Sequence, residues 1–319
     1  MKIRSASVWA WLTGLLLASG MMVGCPASSK SGSVAGPPPS EEKLRVVATT
    51  MMVADLAREV GGQRVEVIAL MGPGVDPHLY KASPGDIQLL EDADLVLYHG
   101  LHLEGKLADV LEKLGNRKPA VAITAGLDPA KLLSEPSANS YPDPHIWFDV
   151  TLWSQCISAV EKALSSASPD DQAEFHAQSE QVRKSMAELD QWVRKELATL
   201  PADRRLLITA HDAFRYFGRA YGIEVMGVQG ISTESEAGLQ EVNRIVDVLV
   251  RRKIPAIFVE TSVSQKNVRA IVEGAQARGA RVTIGPALLS DSMGDKGTPE
   301  ATYEGMIRYN VSSIIQALK

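Results

Sequence analysis

Two hydrophobic periods alternate along the chain from residue 44. Short runs rich in Val, Ile and Leu, at 45–49, 64–70, 94–98 and 120–123, read as strands. Between them lie stretches with apolar residues three and four apart, at 51–60 and 103–114, and one opened by Ser83-Pro84 as N-cap and N1. After a loop from 126 to 144 the helical period returns at 149–166 and again at 169–199. The second half repeats the alternation, with strands at 206–209, 223–228, 256–260 and 281–284. Helices are expected at 212–220, 235–251, 265–278 and 298–318. Strand–helix alternation of this kind implies an α/β fold with mostly parallel sheets.

The 169–199 stretch is the longest periodic segment. Its apolar stripe is Phe175, Val182, Met186, Leu189, Val193 and Leu197. A helix of about thirty residues spans roughly 45 Å, the width of a domain. The pattern therefore predicts two α/β lobes, 44–168 and 200–319, joined by one backbone helix over 169–199, with a cleft between the lobes.

The N-terminus has a different character. Lys2 and Arg4 precede an apolar stretch over 8–23, then Gly24-Cys25. This reads as a secretory signal, residues 1–24, cut before a cysteine that would carry lipid. Met22-Val23-Gly24-Cys25 departs from the commonest lipobox, which has Leu first. The competing reading is an uncleaved membrane anchor over the uncharged run 5–29, against which stand Gly14, Ser19 and Gly20. Residues 25–43, with three consecutive prolines and no apolar period, read as a flexible tether. Either reading puts the body outside the cytoplasm and attached to a membrane, in the periplasm or on the outer surface.

Cysteine and charge narrow the class. With Cys25 lipidated, Cys156 is left alone in a helical run, so no internal disulfide forms and the fold rests on burial. Loss of Lys2 and Arg4 with the leader takes the formal charge from −5 to −7. No basic patch with interleaved aromatics occurs, so no nucleic-acid partner is expected.

The chemistry concentrates in the histidines, of which there are six. Asp-Pro-His occurs twice, as Asp76-Pro77-His78 and Asp143-Pro144-His145. Proline fixes its own φ and biases the preceding residue to extended geometry, so each tripeptide is a stiff mount for an imidazole. His211 follows a strand-like run, and Asp291 lies in a small-residue loop. His78, His145, His211 and Asp291 all fall in loops, where open α/β sheets bind ligands beyond the carboxyl ends of strands. Three imidazoles and a carboxylate suit one divalent transition metal, Zn²⁺ or Mn²⁺, rather than Ca²⁺.

Each residue also has a plainer explanation. A single loop histidine is more often a surface or hydrogen-bonded group, and Asp291 alone would read as a turn residue. His99 and His102 form a rival pair, read here as hydrogen-bonded or exposed. His176, beside the stripe of the long helix, reads as solvated. Asp76, Asp143, Asp149, Asp212 and Glu260 are candidates to accept the second ring N–H of ligating imidazoles; for Asp149 and Asp212 helix capping or turn formation is favoured. Trp147, Phe148, Phe214, Tyr216 and Phe217 flank His145 and His211, either walling the cleft or serving as ordinary core.

Through GPGVDPHLYKASPGD, ADLVLYHGLHLE, DPHIWFD, ITAHDAFRYFGRAYG, AIFVET and LLSDSMG, in that order, the chain resembles the metal-specific substrate-binding lipoproteins of bacterial ABC transporters, of the ZnuA and TroA type. The resemblance spans nearly the whole mature chain, lipobox and tether included. It implies His78, His145, His211 and Asp291 as ligands, two pseudo-symmetric lobes on a rigid linking helix, and limited closure on binding. Some members carry glutamate where this chain has His211. The 125–141 stretch lacks the His-rich loop of many zinc importers.

The expected function is capture of Zn²⁺ or Mn²⁺ and delivery to an ABC permease for import, by a monomer and not an enzyme. Two alternatives remain at this point. A secreted metal-dependent hydrolase would need a general base and an open coordination position, and the His-Glu-x-x-His signature is absent. An adhesin with a structural metal would need the ion to fold.

Overall fold

A computed structural model describes residues 42–134 and 141–319. The signal segment, Cys25 and nearly all of the tether lie outside the described residues. The chain enters β1 (Leu44–Ala48), and Thr50 then caps α1 (Met51–Gly61) by accepting from the Val53 N–H. β2 (Val65–Ala69) follows, then α2 (Pro84–Asp92), β3 (Leu95–Tyr98), α3 (Ala108–Gly115) and β4 (Ala120–Ala122). Ser83 and Asp86 form a reciprocal capping box around Pro84, as the Ser-Pro signal predicts. All pairings are parallel, in the order β2-β1-β3-β4.

A broken helical stretch follows: α4 (Val150–Trp153), a 3-10 turn, then α5 (Ile157–Ala167). The backbone helix α6 (Gln172–Leu197) has 26 residues and opens on a 3-10 turn at 169–171. Every residue of the stripe expected from the sequence is buried along it.

The second half holds β5 (Leu206–His211), α7 (Arg215–Tyr221), β6 (Glu224–Gln229), α8 (Leu239–Arg252), β7 (Ala256–Ile257), α9 (Lys266–Ala277), β8 (Thr283–Ile284) and α10 (Tyr303–Leu318). β5 pairs with β6 and β7 with β8, all parallel. The Phe258 N–H donates to the Ile208 carbonyl at 2.8 Å, setting β7 beside β5. The order β6-β5-β7-β8 thus repeats that of the first sheet. These are two α/β lobes with parallel sheets, linked by α6.

Several element ends differ from expectation. β7 and β8 are shorter than expected, lacking 258–260 and 281–282, and beyond them the two segments meet again only at an isolated parallel bridge between Glu260 and Leu288. The 103–114 helix starts only at Ala108, after a left-handed turn at 100–102. His211 is the last residue of β5, not a loop residue.

One apolar core runs through both lobes, from Val46 on β1 to Leu318 on α10, and includes the α6 stripe. A smaller cluster, with Leu90, Val96 and Leu111, covers the other face of the first sheet. A large shared apolar interface resists relative motion of the parts it joins.

Candidate metal centre

The C-terminal ends of the strands converge on one point. β2 leads into the loop bearing His78, β5 ends at His211, β7 leads to Glu260 and β8 to Asp291. His145 arrives from the loop before α4. His78, His145, His211 and Asp291 are all buried, and one donor atom from each lies within 4.8 Å of all the others. His145 Nε2 stands 3.3 Å from both His78 Nε2 and His211 Nε2. Asp291 Oδ1 is 3.4 Å from His145 Nε2, and Oδ2 is 3.3 Å from His211 Nε2 and 3.8 Å from His78 Nε2. A tetrahedron with metal–nitrogen distances of about 2.0–2.1 Å has edges of about 3.3–3.4 Å, so the spacing fits a metal coordination shell. Among the described residues neither Asp291 oxygen has a hydrogen-bond donor, although both are buried. A buried carboxylate is costly unless a cation or donors meet it.

The two Asp-Pro-His mounts share one feature and differ in another. In each, the aspartate Oδ1 accepts the backbone N–H of the histidine, at 2.9 Å from His78 and 3.0 Å from His145. Asp143 Oδ1 also meets His145 Nδ1 at 2.8 Å. Asp76 instead accepts from Thr233 Oγ1 at 2.5 Å through its other oxygen. Glu260 does for His211 what Asp143 does for His145, accepting the backbone N–H at 2.9 Å and meeting Nδ1 at 2.5 Å. Both carboxylates accept the Nδ1 proton, so Nε2 is the nitrogen that faces the centre and offers its lone pair to an ion once any proton on it is displaced.

The electrostatics point the same way. Burial pushes His78 down to about 4, against the pull of Asp291, so this ring stays neutral. Burial also opposes charge on His145, but Asp143 and Asp291 outweigh it and raise His145 to about 9. For His211, Glu260 and Asp291 overcome burial and hold it well above the ordinary imidazole value. Burial would raise Asp291, yet His211 and His145 hold it well below the carboxylate range. Three carboxylates around three rings create a site that attracts positive charge.

The other candidates sort themselves by partner. Asp149 caps α4, accepting from the Leu152 N–H at 3.0 Å, as expected. Asp212 caps no helix: it is half-buried near Arg215, and burial raises it to about 6. The His99–His102 pair is not in the cluster. His99 is buried and donates from Nε2 to the Pro144 carbonyl, whereas His102 stacks on Tyr141. His176 is exposed and pairs with Glu161. Trp147 lies edge-on to His145 with ring centroids 5.2 Å apart, and Phe148 stacks on Phe214; all five flanking aromatics are buried. Thr233, which meets Asp76, and Ser290, whose carbonyl accepts the Trp147 indole N–H, were invisible to sequence reasoning, because nothing local marks a contact made more than a hundred residues away. His78 also lines an open cleft of about 740 Å³ between residues 101–106 and 228–238.

Two parallel-sheet lobes on a backbone helix, closing over a buried three-histidine, one-carboxylate cage, define a metal-binding solute receptor. The family described as zinc-uptake complex component A, periplasmic, matches residues 46–317. The chain is 46% identical over 308 residues to the manganese-binding lipoprotein MntA of Bacillus subtilis, covering 97% of this chain and 98% of that protein. The solved structure of the periplasmic zinc-binding protein TroA from Treponema pallidum matches with a TM-score of 0.84 and 45% identity, covering 87% of this chain and 99% of that one. The structure of Fe(III)-bound YtgA from Chlamydia trachomatis matches with a TM-score of 0.78 and 28% identity, over 86% and 98% of the two chains. The chain belongs to the zinc-uptake complex component A family. It is an extracytoplasmic metal-binding component of an ABC import system and not an enzyme. The hydrolase and adhesin alternatives find no support.

Proposed function

We propose that His78, His145, His211 and Asp291 are the ligands of a single transported Zn²⁺ or Mn²⁺ ion, which the protein releases to its membrane permease. The observation that carries this reading is the packing of three imine nitrogens and two carboxylate oxygens at the edge lengths of one coordination polyhedron. The names of the relatives, manganese-binding in one case and zinc-binding in another, support both ions as cargo. A nitrogen-rich site binds Zn²⁺ more tightly than Mn²⁺ by the general affinity order, so supply decides which is carried.

The lobes run over 44–168 and 200–319, with 169–199 as the link; the repeated sheet order and the position of α6 support these limits. All four ligands come from one chain, which supports action as a monomer. Residues 1–24 are a signal and Cys25 carries the lipid, with 25–43 as tether to the membrane. The names of relatives called lipoproteins support the anchor. Among the described residues no helix is long and apolar enough to cross a membrane.

The test is titration of the protein, first stripped of metal by a chelator, with Zn²⁺ and Mn²⁺. One ion per chain is expected, with His211→Ala losing binding while remaining folded. Parental Zn²⁺ binding by His211→Ala would overturn the ligand assignment. For the anchor, Cys25→Ser should leave the protein unlipidated and free of membranes.

A further inference from the structure

His99 takes no part in the ligand cluster, yet it is fully buried and its contacts lead straight to a ligand. Its Nε2 donates to the Pro144 carbonyl at 2.7 Å, and Pro144 immediately precedes His145. The imidazole is clamped between two indoles, stacked on Trp153 and edge-on to Trp147. Trp147 in turn packs against His145. Burial depresses the ring to about 3, with the Pro144 contact opposing, so it stays a neutral donor.

The backbone around His99 is built to hold it there. Gly100, Leu101 and His102 have φ of 90°, 52° and 64°, a run of three left-handed residues. L-residues pay about 1–2 kcal/mol each for that conformation. A Cβ on Gly100 would come within 2.7 Å of Thr124 Oγ1, so only glycine fits the start of the turn. The buried Glu104 carboxylate closes the turn. It accepts the His99 N–H at 2.7 Å, the Gly100 N–H at 3.2 Å and the Thr49 hydroxyl at 2.6 Å. The His99 carbonyl accepts from Thr124 Oγ1 at 2.7 Å. Strain of this size persists only where surrounding contacts overdetermine it, and it gathers where geometry matters to function.

We infer that His99, held by the Glu104-closed turn, is a positioning residue for the metal centre: it fixes the Pro144 carbonyl and thereby the place of the His145 ligand. His145 is then held from two sides. Asp143 sets its tautomer and ring angle, and His99 sets the backbone from which the ring projects. A divalent ion gains most from ligands fixed before it arrives, and outer partners of this kind typically change metal affinity 10–100-fold.

The inference rests on the ligand assignment above, so the experiment reads the two separately. His99→Gln keeps a donor at the position of Nε2. His99→Phe keeps a ring between the two indoles and removes the donor. Both are compared with the parent, full chain, by Zn²⁺ competition against a chelator and by the visible spectrum of the Co²⁺-loaded site. Melting of the metal-free proteins is followed alongside. The parent and His99→Gln should match in affinity and Co²⁺ spectrum. His99→Phe should bind Zn²⁺ about tenfold or more weakly and show shifted Co²⁺ bands. Parent-like affinity and spectrum in His99→Phe would overturn the inference, as would an equal loss in both variants. If His99→Phe does not fold, His99→Gln decides alone: parental values support a donor role, and a tenfold loss refutes it. A parent that binds no Zn²⁺ would instead refute the ligand assignment.

Discussion

Trp147 donates its indole N–H to the Ser290 carbonyl at 3.0 Å, tying the residue two after one proposed ligand to the residue just before another. The Tyr303 hydroxyl, at the start of α10, donates to the Trp147 carbonyl at 2.7 Å. The His145 and Asp291 loops, from different lobes, are therefore held in register whether or not an ion joins them. Trp147→Phe keeps most of the apolar contact and leaves the Ser290 carbonyl unpaired. It should destabilise the metal-free protein by about 1–3 kcal/mol, seen as a lower denaturant midpoint with an unchanged slope. An unchanged midpoint would mean that the tie contributes nothing to lobe registration.

Asp143 and Glu260 act on the rings from behind. Asp143→Asn and Glu260→Gln remove a charge and relax the tautomer of His145 and His211 respectively. Each should lower Zn²⁺ affinity about 10–100-fold with one ion still bound per chain. Asp149→Asn, which alters only a helix cap, should leave affinity at the parental value. Equal effects at all three positions, in competition titrations, would refute a special role for the first two.

The four clustered residues were legible in the sequence because their chemistry is rare there and their mounts are local. Asp-Pro-His carries its own stiffness, and the aspartate closes on a backbone N–H only two residues away. What lies beyond that was not legible. The two tripeptides are identical as text, yet Asp76 spends its second oxygen on Thr233 whereas Asp143 reaches its own histidine ring. That difference is decided by what the other lobe brings up. The strand–helix alternation gave the parallel sheets and the long helix, since both follow from period. The left-handed turn at Gly100–His102 escaped, because a buried glutamate five residues after His99 looks like any surface glutamate until its three donors are seen. Cys25, the expected site of lipid attachment, lies outside the described residues.

Because the core is apolar and continuous through both lobes, the fold does not depend on the ion. Chelation should leave a cooperative, folded protein that takes the metal back reversibly. Binding to the folded state alone should then raise the melting temperature, by the equivalent of about 2.7 kcal/mol at a free metal concentration one hundred times Kd. Loss of helical circular dichroism on chelation would point instead to a structural ion.

Asp55 on α1 offers a pH test remote from the metal. Burial raises its carboxyl to about 6, although it accepts the Tyr303 N–H at 2.8 Å. The folded state thus holds a proton that the unfolded chain releases near 3.9. The sign follows from linkage: this group favours folding below the unfolded value, and the contribution is lost as pH rises through about 6. Asp55→Asn should therefore be more stable than the parent above pH 7, by up to about 3 kcal/mol, and show no such advantage at pH 4. Denaturant midpoints measured across that range give the answer, and a pH-independent difference would contradict it.

Proton competition at the centre supplies the last prediction. Neutral rings alone would lose metal only below about 6.5, the ordinary imidazole value. In this site His145 is raised to about 9 and His211 well above its ordinary value, while His78 at about 4 is already neutral. The surrounding carboxylates therefore favour protons on both His145 and His211 in the metal-free site, and an incoming ion must displace them. Affinity for Zn²⁺ should keep rising from pH 6.5 toward about 9 instead of levelling above neutrality. Binding at pH 7 should also release protons, seen by calorimetry as a heat that varies with the ionisation enthalpy of the buffer. Asp291→Asn removes the charge that both rings face, so it should reduce the proton release as well as the affinity. A parental affinity that is flat above pH 7, with a heat independent of buffer, would show that both rings are neutral before the metal arrives.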